Sequence, residues 1–297
     1  MSEAQLTLSW QRVLNWRDAR FRRRPELRLR RLEQALEFVD DVGISLLFPH
    51  PPLACPTLWE AICGEVRRLP THHHEDRELG YLWEWKDELP SRGLIYYGKL
   101  LRNRPTLVSL RLLPYFYALS GNLGAVDDYL QEYADGKLSD EGKRVIEALL
   151  EHGPLPTSVL RREAGLAGKA NVTRFDRALV ELQMGLKIIK VGISDANAWK
   201  YCYVYDLLMK RWPDVAERAG GLSASSALTA LLLQHLHNVG AVTEREVVRL
   251  FGWAPQRLAE LCSKLAAEDL LRTDVVIEGA PEKCLALPLL VNVQSRL

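Results

Sequence analysis

The chain has 297 residues, 47% hydrophobic and 26% charged, with a formal net charge of +1. That is the balance of a globular protein rather than a disordered one. Near-neutrality excludes a globally basic nucleic-acid binder, so any polyanion must be met by local patches. The five cysteines (Cys55, Cys63, Cys202, Cys262, Cys284) have no Cys-x-x-Cys spacing, and their odd number points to buried thiols rather than a disulfide framework. No apolar run approaches the roughly 20 residues of a membrane span, and no apolar signal core follows the N-terminus. A cytoplasmic location and no membrane partner are therefore expected.

From Leu6 to Phe38 apolar residues recur at helical spacing, and Pro25 reads as the first turn of a second helix. Residues 12–31 hold nine arginines against two acids, including Arg22, Arg23 and Arg24. Such density calls for a polyanion or for carboxylates from elsewhere in the chain. Val42 to Pro52 ends in a proline-rich turn. Thr57 and Glu60 form a capping-box pattern for a helix running to Leu69. His72, His73 and His74, with Glu75, Asp76 and Glu78 nearby, read as a polar loop, since adjacent histidines face different directions; no metal and no other cofactor is expected. The aromatics between residues 75 and 118 read as core.

The clearest unit starts at Ser139, an N-cap followed by acidic residues. Val145, Ile146, Leu149 and Leu150 form one buried face, and Gly153 ends the helix. Pro156-Thr157 caps a second helix and Asn171 a third, carrying Phe175, Ala178, Leu179 and Leu182. Leu186–Val191 and Trp199–Tyr205 then read as a hairpin around Ser194–Asn197. Three helices and a hairpin is the winged-helix order. The pattern returns about 85 residues later: helices from Ser226, Glu244 and Pro255, then strands to Leu287. Lys210–Leu222, with Pro213 and Gly220-Gly221, reads as the linker between copies. The expected fold is mainly α with small β-hairpins (α+β), as tandem winged-helix, helix-turn-helix domains. The expected divisions are 1–138, helical or winged-helix-like, 139–210, central, and 222–297, C-terminal.

In a helix-turn-helix the second element enters the major groove and the wing lies on adjacent backbone. On the central unit Asn171, Thr173, Arg174, Arg177 and Glu181 face outward. Lys169 precedes them, Arg161 and Arg162 lie on the preceding helix, and Asn197 and Lys200 sit at the wing tip. These, with Arg22–Arg24, are the expected contacts to double-stranded DNA. The corresponding helix of the last unit mixes Gln256, Arg257 and Lys264 with acids. His235 and His237, two apart on a helix, have the wrong spacing to share a ligand. Glycine-rich phosphate loops and the serine-hydrolase elbow are absent.

The run Leu36-Glu37-Phe38-Val39-Asp40-Asp41-Val42-Gly43-Ile44-Ser45 resembles the signature of the AlkZ-type DNA glycosylases. Leu82-Trp83-Glu84-Trp85-Lys86-Asp87-Glu88 is similar to that family's aromatic Trp-x-His-Glu-Ala stretch. The resemblance implies a tandem winged-helix fold and a role in removing alkylated bases. It also implies polar catalytic side chains at Asp40, where the family has glutamine, and at Val42. Val42 can neither position a water nor offset a developing positive charge. Asp40 can do both, with Asp41 as a spare. Three functions are then open: a DNA-binding relative of the repair glycosylases without catalysis, a glycosylase acting through Asp40 on alkylated and damaged bases, and a winged-helix module for protein partners.

Overall fold

The computed structural model describes residues 6–70, 76–280 and 282–291. Its internal contacts divide the chain into two compact units, Met1–Leu82 with Leu228–Leu297, and Trp83–Ala227. His72–His74 and Glu75 lie outside the described residues.

The first unit opens with strand β1 (Thr7–Leu8) and helix α1 (Trp10–Arg20), whose N-cap Ser9 accepts from the Arg12 amide. Pro25 starts only a 3-10 turn, Pro25–Leu27; the second long helix, α2, spans Leu32–Val42. The delay has its cause in a partner distant along the chain. The Leu29 amide donates to the Ala61 carbonyl at 2.9 Å, which holds the intervening backbone extended. Ala35, Phe38, Val39 and Val42 form the buried face of α2. Strand β2 (Ile44–Leu46) and helix α3 (Leu58–Cys63) come next. Thr57 caps α3 as its sequence suggests, but the helix stops at Gly64 rather than near Leu69. Gly64 has φ 73°, and a Cβ there would lie 2.6 Å from the Arg28 Cβ, so only glycine fits. Helix α4 (Arg77–Ser91) then carries the chain into the second unit.

There β3 (Ile95–Gly98) and β4 (Thr106–Ser109) pair antiparallel, followed by α5 (Leu113–Ser120) and α6 (Asp128–Ala134). Next come α7 (Asp140–His152), β5 (Leu155–Pro156), α8 (Thr157–Glu163), α9 (Val172–Met184), β6 (Ile188–Ser194) and β7 (Cys202–Leu207). The sheet order is β5-β7-β6, so the short strand after the first helix pairs with the returning arm of the hairpin. The order of three helices and a hairpin is the one its sequence pattern predicts. Val145, Leu149, Leu160, Phe175, Leu182 and Ile188 meet in its core.

Three side chains do other work than their spacing suggests. Thr157 donates its hydroxyl to the Tyr203 carbonyl at 2.8 Å rather than capping α8. Asn171 stands at the start of α9 but donates back to the Ala167 carbonyl. Glu181 turns inward and accepts from the Ser139 amide at 3.0 Å, tying α9 to the start of α7. The expected linker is mostly helical, as α10 (Leu208–Arg211) and α11 (Pro213–Gly220). Pro213 suits a first helical turn, and Val215 and Ala219 give α11 a face to bury.

Helix α12 (Ala224–Val239) leads back to the first unit, followed by β8 (Ala241–Val242), α13 (Glu244–Phe251), α14 (Pro255–Ala267), β9 (Arg272–Ile277), β10 (Lys283–Ala286) and α15 (Pro288–Val291). A full Thr243/Glu246 capping box opens α13. The sheet order β1-β9-β10-β8 repeats the pairing of the β5-β7-β6 sheet, with β1 added parallel to β9. The two copies thus share topology as well as pattern. All five cysteines are buried and none is in a disulfide. Among the described residues no helix is long and apolar enough to cross a membrane.

Helix α1 also closes the end of α12. Trp16 Nε1 donates to the His237 carbonyl at 2.8 Å, and Arg17 donates to Val239 and Ala241 at 3.0 and 2.7 Å. These carbonyls belong to the last turn of α12 and just beyond it, where intrahelical donors run out. Val239 and Ala241 are fully buried. Arg17→Ala is therefore expected to cost about 2–3 kcal/mol, read as a lower midpoint in urea unfolding.

Candidate functional site

Strand β7 carries tyrosines at alternate positions, Tyr203 and Tyr205, with Tyr201 just before it, which puts all three on one face of the hairpin. Their rings form a chain, 5.8 Å from Tyr201 to Tyr203 and 6.4 Å from Tyr203 to Tyr205. Tyr97 of β3 adds a fourth ring, 6.3 Å from Tyr203. Lys190 on β6 pairs across the ladder with Tyr205, just before a register shift that brings Gly192 opposite Val204. Bulges of this kind re-aim side chains. Lys190 is 7% exposed. Its Nζ sits 4.0 Å from the ring centroids of both Tyr97 and Tyr203.

A second lysine lies nearby. Lys86 of α4 is fully buried, and its Nζ donates to Asp87 Oδ1 at 2.5 Å, Tyr201 Oη at 2.7 Å and Tyr203 Oη at 2.9 Å. Tyr201 also donates to Asp87 Oδ2 at 2.8 Å. The two amines therefore differ. Burial lowers the pKa of Lys86, but the hydrogen bond and charge of Asp87 oppose the shift. Lys190 is pushed down to about 7, first by burial and then by repulsion from Lys86, with Asp87 opposing and Lys99 adding to the fall. The two ring faces favour the cation and offset part of this. Burial also pushes the hydroxyls of Tyr97 and Tyr203 upward, which keeps both protonated at neutral pH.

Lys190, Tyr201, Tyr203 and Tyr205 line a cleft of about 600 Å³. The outer face of α9 supplies Thr173, Asp176 and Arg177; the loop after β3 supplies Lys99 and Asn103. Gln183 fixes that loop: it is buried, its Oε1 accepts from the Lys99 amide at 3.2 Å, and its carbonyl accepts from Tyr96 at 2.8 Å. The outer face of α9 and the tyrosine face of the hairpin thus converge on one concavity, with Lys99 and Arg177 as its cations and Lys190 as its buried amine.

Of the expected DNA contacts, Thr173 and Arg177 line the cleft. Arg161, Arg162, Lys169 and Arg174 lie on the same winged helix outside its lining. Arg162 is paired with Glu163 at 2.8 Å and Arg174 with Glu141. Asn197 builds the wing tip: its Oδ1 accepts from the amides of Trp199 and Tyr201, and its Nδ2 donates to the Tyr201 carbonyl. Trp199, beside Lys200 on that turn, is 87% exposed.

In the first unit the arginine-rich segment meets carboxylates. Arg23 pairs with Glu60 at 2.8 Å, Arg20 with Asp41 at 3.1 Å, and Arg22 approaches Asp41 at 3.8 Å. Arg24 donates to the Asn15 carbonyl at 3.0 Å. Asp40 and Asp41 are exposed at the last turn of α2, and Val42 is buried. Asn238 and Gln234 of α12 donate to the carbonyls of Val42 and Asp41, at 2.7 and 3.2 Å. His235 is buried, which pushes its pKa down to about 3, and Arg17 adds to that fall.

The sequence reading missed Lys86, Lys190 and the tyrosine face. A signal was present: a lysine inside the apolar run Ile188-Ile189-Lys190-Val191, opposite Tyr-x-Tyr-x-Tyr. Lysine is rarely buried without a task.

Two copies of one helix-and-hairpin order, one bearing a basic, tyrosine-lined cleft, define this as a mainly helical α+β protein with small sheets. The AlkZ-related family model matches residues 29–252, and the chain belongs to that family, as its motifs implied. Among solved structures, the Streptomyces sahachiroi DNA glycosylase AlkZ is similar to it in fold. The TM-score is 0.59 at 15% sequence identity, covering 98% of this chain and 72% of that one. None of the curated proteins matches the chain.

Proposed function

We propose that this protein binds double-stranded DNA and works in DNA repair, with the central winged helix as its principal contact. The observation that carries the reading is the convergence of the α9 face and the wing on one cleft with Lys99, Arg177 and Lys190 in its lining. A winged helix meets DNA with these same two elements. Lys169, Arg174, Lys200, the half-buried Arg161 and the exposed Arg162 extend the positive surface toward flanking phosphates. Arg22 and Arg24, which are partly exposed, are secondary contacts. Kinship with AlkZ, a DNA glycosylase, supports the assignment to repair.

The test is equilibrium binding of a short duplex, with and without an alkylated base, across a salt series. Binding should weaken with a log–log slope of about −0.9 per phosphate contacted. Arg177→Ala should reduce that slope by about one contact and weaken binding alike for all sequences. Absence of binding at low salt would overturn the reading.

A second reading, base excision through Asp40, is favoured by the exposure of that carboxylate at the end of α2, in the family's signature segment. On this reading Asp40→Asn abolishes release of an alkylated base and leaves duplex affinity unchanged. Equal release by the variant and the parent protein would remove Asp40 from the chemistry.

A further inference from the structure

We propose that Lys190 forms an imine with the aldehyde of an abasic deoxyribose, so that the tyrosine-lined cleft takes the product of base removal. The inference rests on the DNA reading above and adds to it a covalent step and a substrate class.

The geometry makes the case. Lys190 projects from an interior strand position opposite Tyr205, at a bulge, into a cleft of about 600 Å³. That is the size of small-ligand sites and has room for a sugar turned out of the duplex. Its Nζ is held between the faces of Tyr97 and Tyr203, not on a carboxylate, whereas Lys86 donates to Asp87, Tyr201 and Tyr203. The arrangement separates two tasks. Lys86, hydrogen-bonded to Asp87, disfavours a charge on Lys190. Lys190, desolvated and facing Lys86 and Lys99, releases its proton near pH 7 and presents a lone pair. Desolvation and a neighbouring cation are the two ways a protein turns a lysine into a carbonyl nucleophile. The other charged groups of the cleft are Asp176 and Arg177. Arg177 and Lys99 supply cations for the phosphates on either side of the sugar.

The step needs neither oxidant nor reductant. The Lys190 lone pair adds to C1′ of the ring-opened sugar, and the carbonyl oxygen takes up a proton. The nitrogen then expels that oxygen as water, leaving a protonated C=N bond. Amine, aldehyde and one proton become iminium and water, and hydrolysis reverses the sequence. Any reaction that hydrolyses an N-glycosidic bond in DNA supplies this aldehyde.

The test is reductive trapping. The full chain is incubated with a duplex containing one abasic site, with and without borohydride, and the adduct is mapped by peptide mass. The expected result is a covalent protein–DNA species on Lys190, whose yield rises with pH about a midpoint near 7. Lys190→Met is expected to lose the adduct at least a hundredfold. Should that variant not fold, the position of the adduct in the parent protein decides. Duplex binding without an adduct, or an adduct on another lysine, overturns the proposal and leaves the DNA reading intact. Failure to bind the abasic duplex overturns both.

Discussion

Lys190→Met is expected to raise stability at pH 7 by on the order of 3 kcal/mol. In the folded protein the amine titrates at about 7 instead of 10.5. Each unit of difference is worth about 1.4 kcal/mol, and the ring faces offset part of the total. The sign comes from the protons bound. Between pH 7 and 10.5 the unfolded chain holds a proton on this amine that the folded chain has released. The parent protein therefore gains stability as pH rises through that window, and above it the penalty is gone. Methionine fills similar volume and has no proton to lose. The gap between the two proteins should be widest below pH 7 and close toward pH 10.5, measured by urea unfolding of both across that range. A gap that does not change with pH would show that the amine is not desolvated. A buried amine that costs the fold this much is the signature of a functional site, where stability and activity trade against each other.

Glu60→Ala is expected to destabilise the protein by about 3–5 kcal/mol. Glu60 is 2% exposed, and its Oε2 accepts from both Arg23 and the Thr57 hydroxyl, each at 2.8 Å. Arg23 lies over the Phe21 ring with its Nε buried and unpartnered. Removing the carboxylate leaves a desolvated guanidinium without compensation. Joint replacement of Arg23 and Glu60 by methionine should recover most of the loss, since a buried pair is worth little more than a well-packed apolar one. A thermal or urea melt of the parent protein and both variants measures the two losses. If the single and double variants lose equally, the pair is not the source of the cost.

Much of the winged-helix pattern was legible because its signals are local. Ser139, Gly153, Thr243 and Pro255 punctuate helices through backbone chemistry that depends on a few neighbours, and the period of Val145, Ile146 and Leu149 names the buried face. The features that escaped depend on distant partners. Pro25 looks like a helix start until the Leu29 amide is claimed by Ala61, thirty-two positions along the chain. The arginines at 22–24 call for a polyanion or for carboxylates elsewhere in the chain, and the carboxylates that Arg22 and Arg23 meet stand at positions 41 and 60. Thr157 and Asn171 have capping side chains whose hydrogen bonds go elsewhere. The cleft was illegible for the same reason. Lys86 and Tyr201 are 115 positions apart, so no window over the sequence brings them together.

The parallel pairing of Thr7 and Leu8 with Val276 and Ile277 bears on the order of biosynthesis. During translation, residues 83–227 emerge complete and can acquire their core while the ribosome is still making the C-terminal segment. The N-terminal segment cannot. Its first strand, and the α1 side chains Trp16 and Arg17, wait for partners more than 200 positions downstream. Until then the Val42 carbonyl lacks Asn238, and the Trp16 ring lacks His237. That nascent stretch is where a chaperone holding exposed apolar surface would have most to protect.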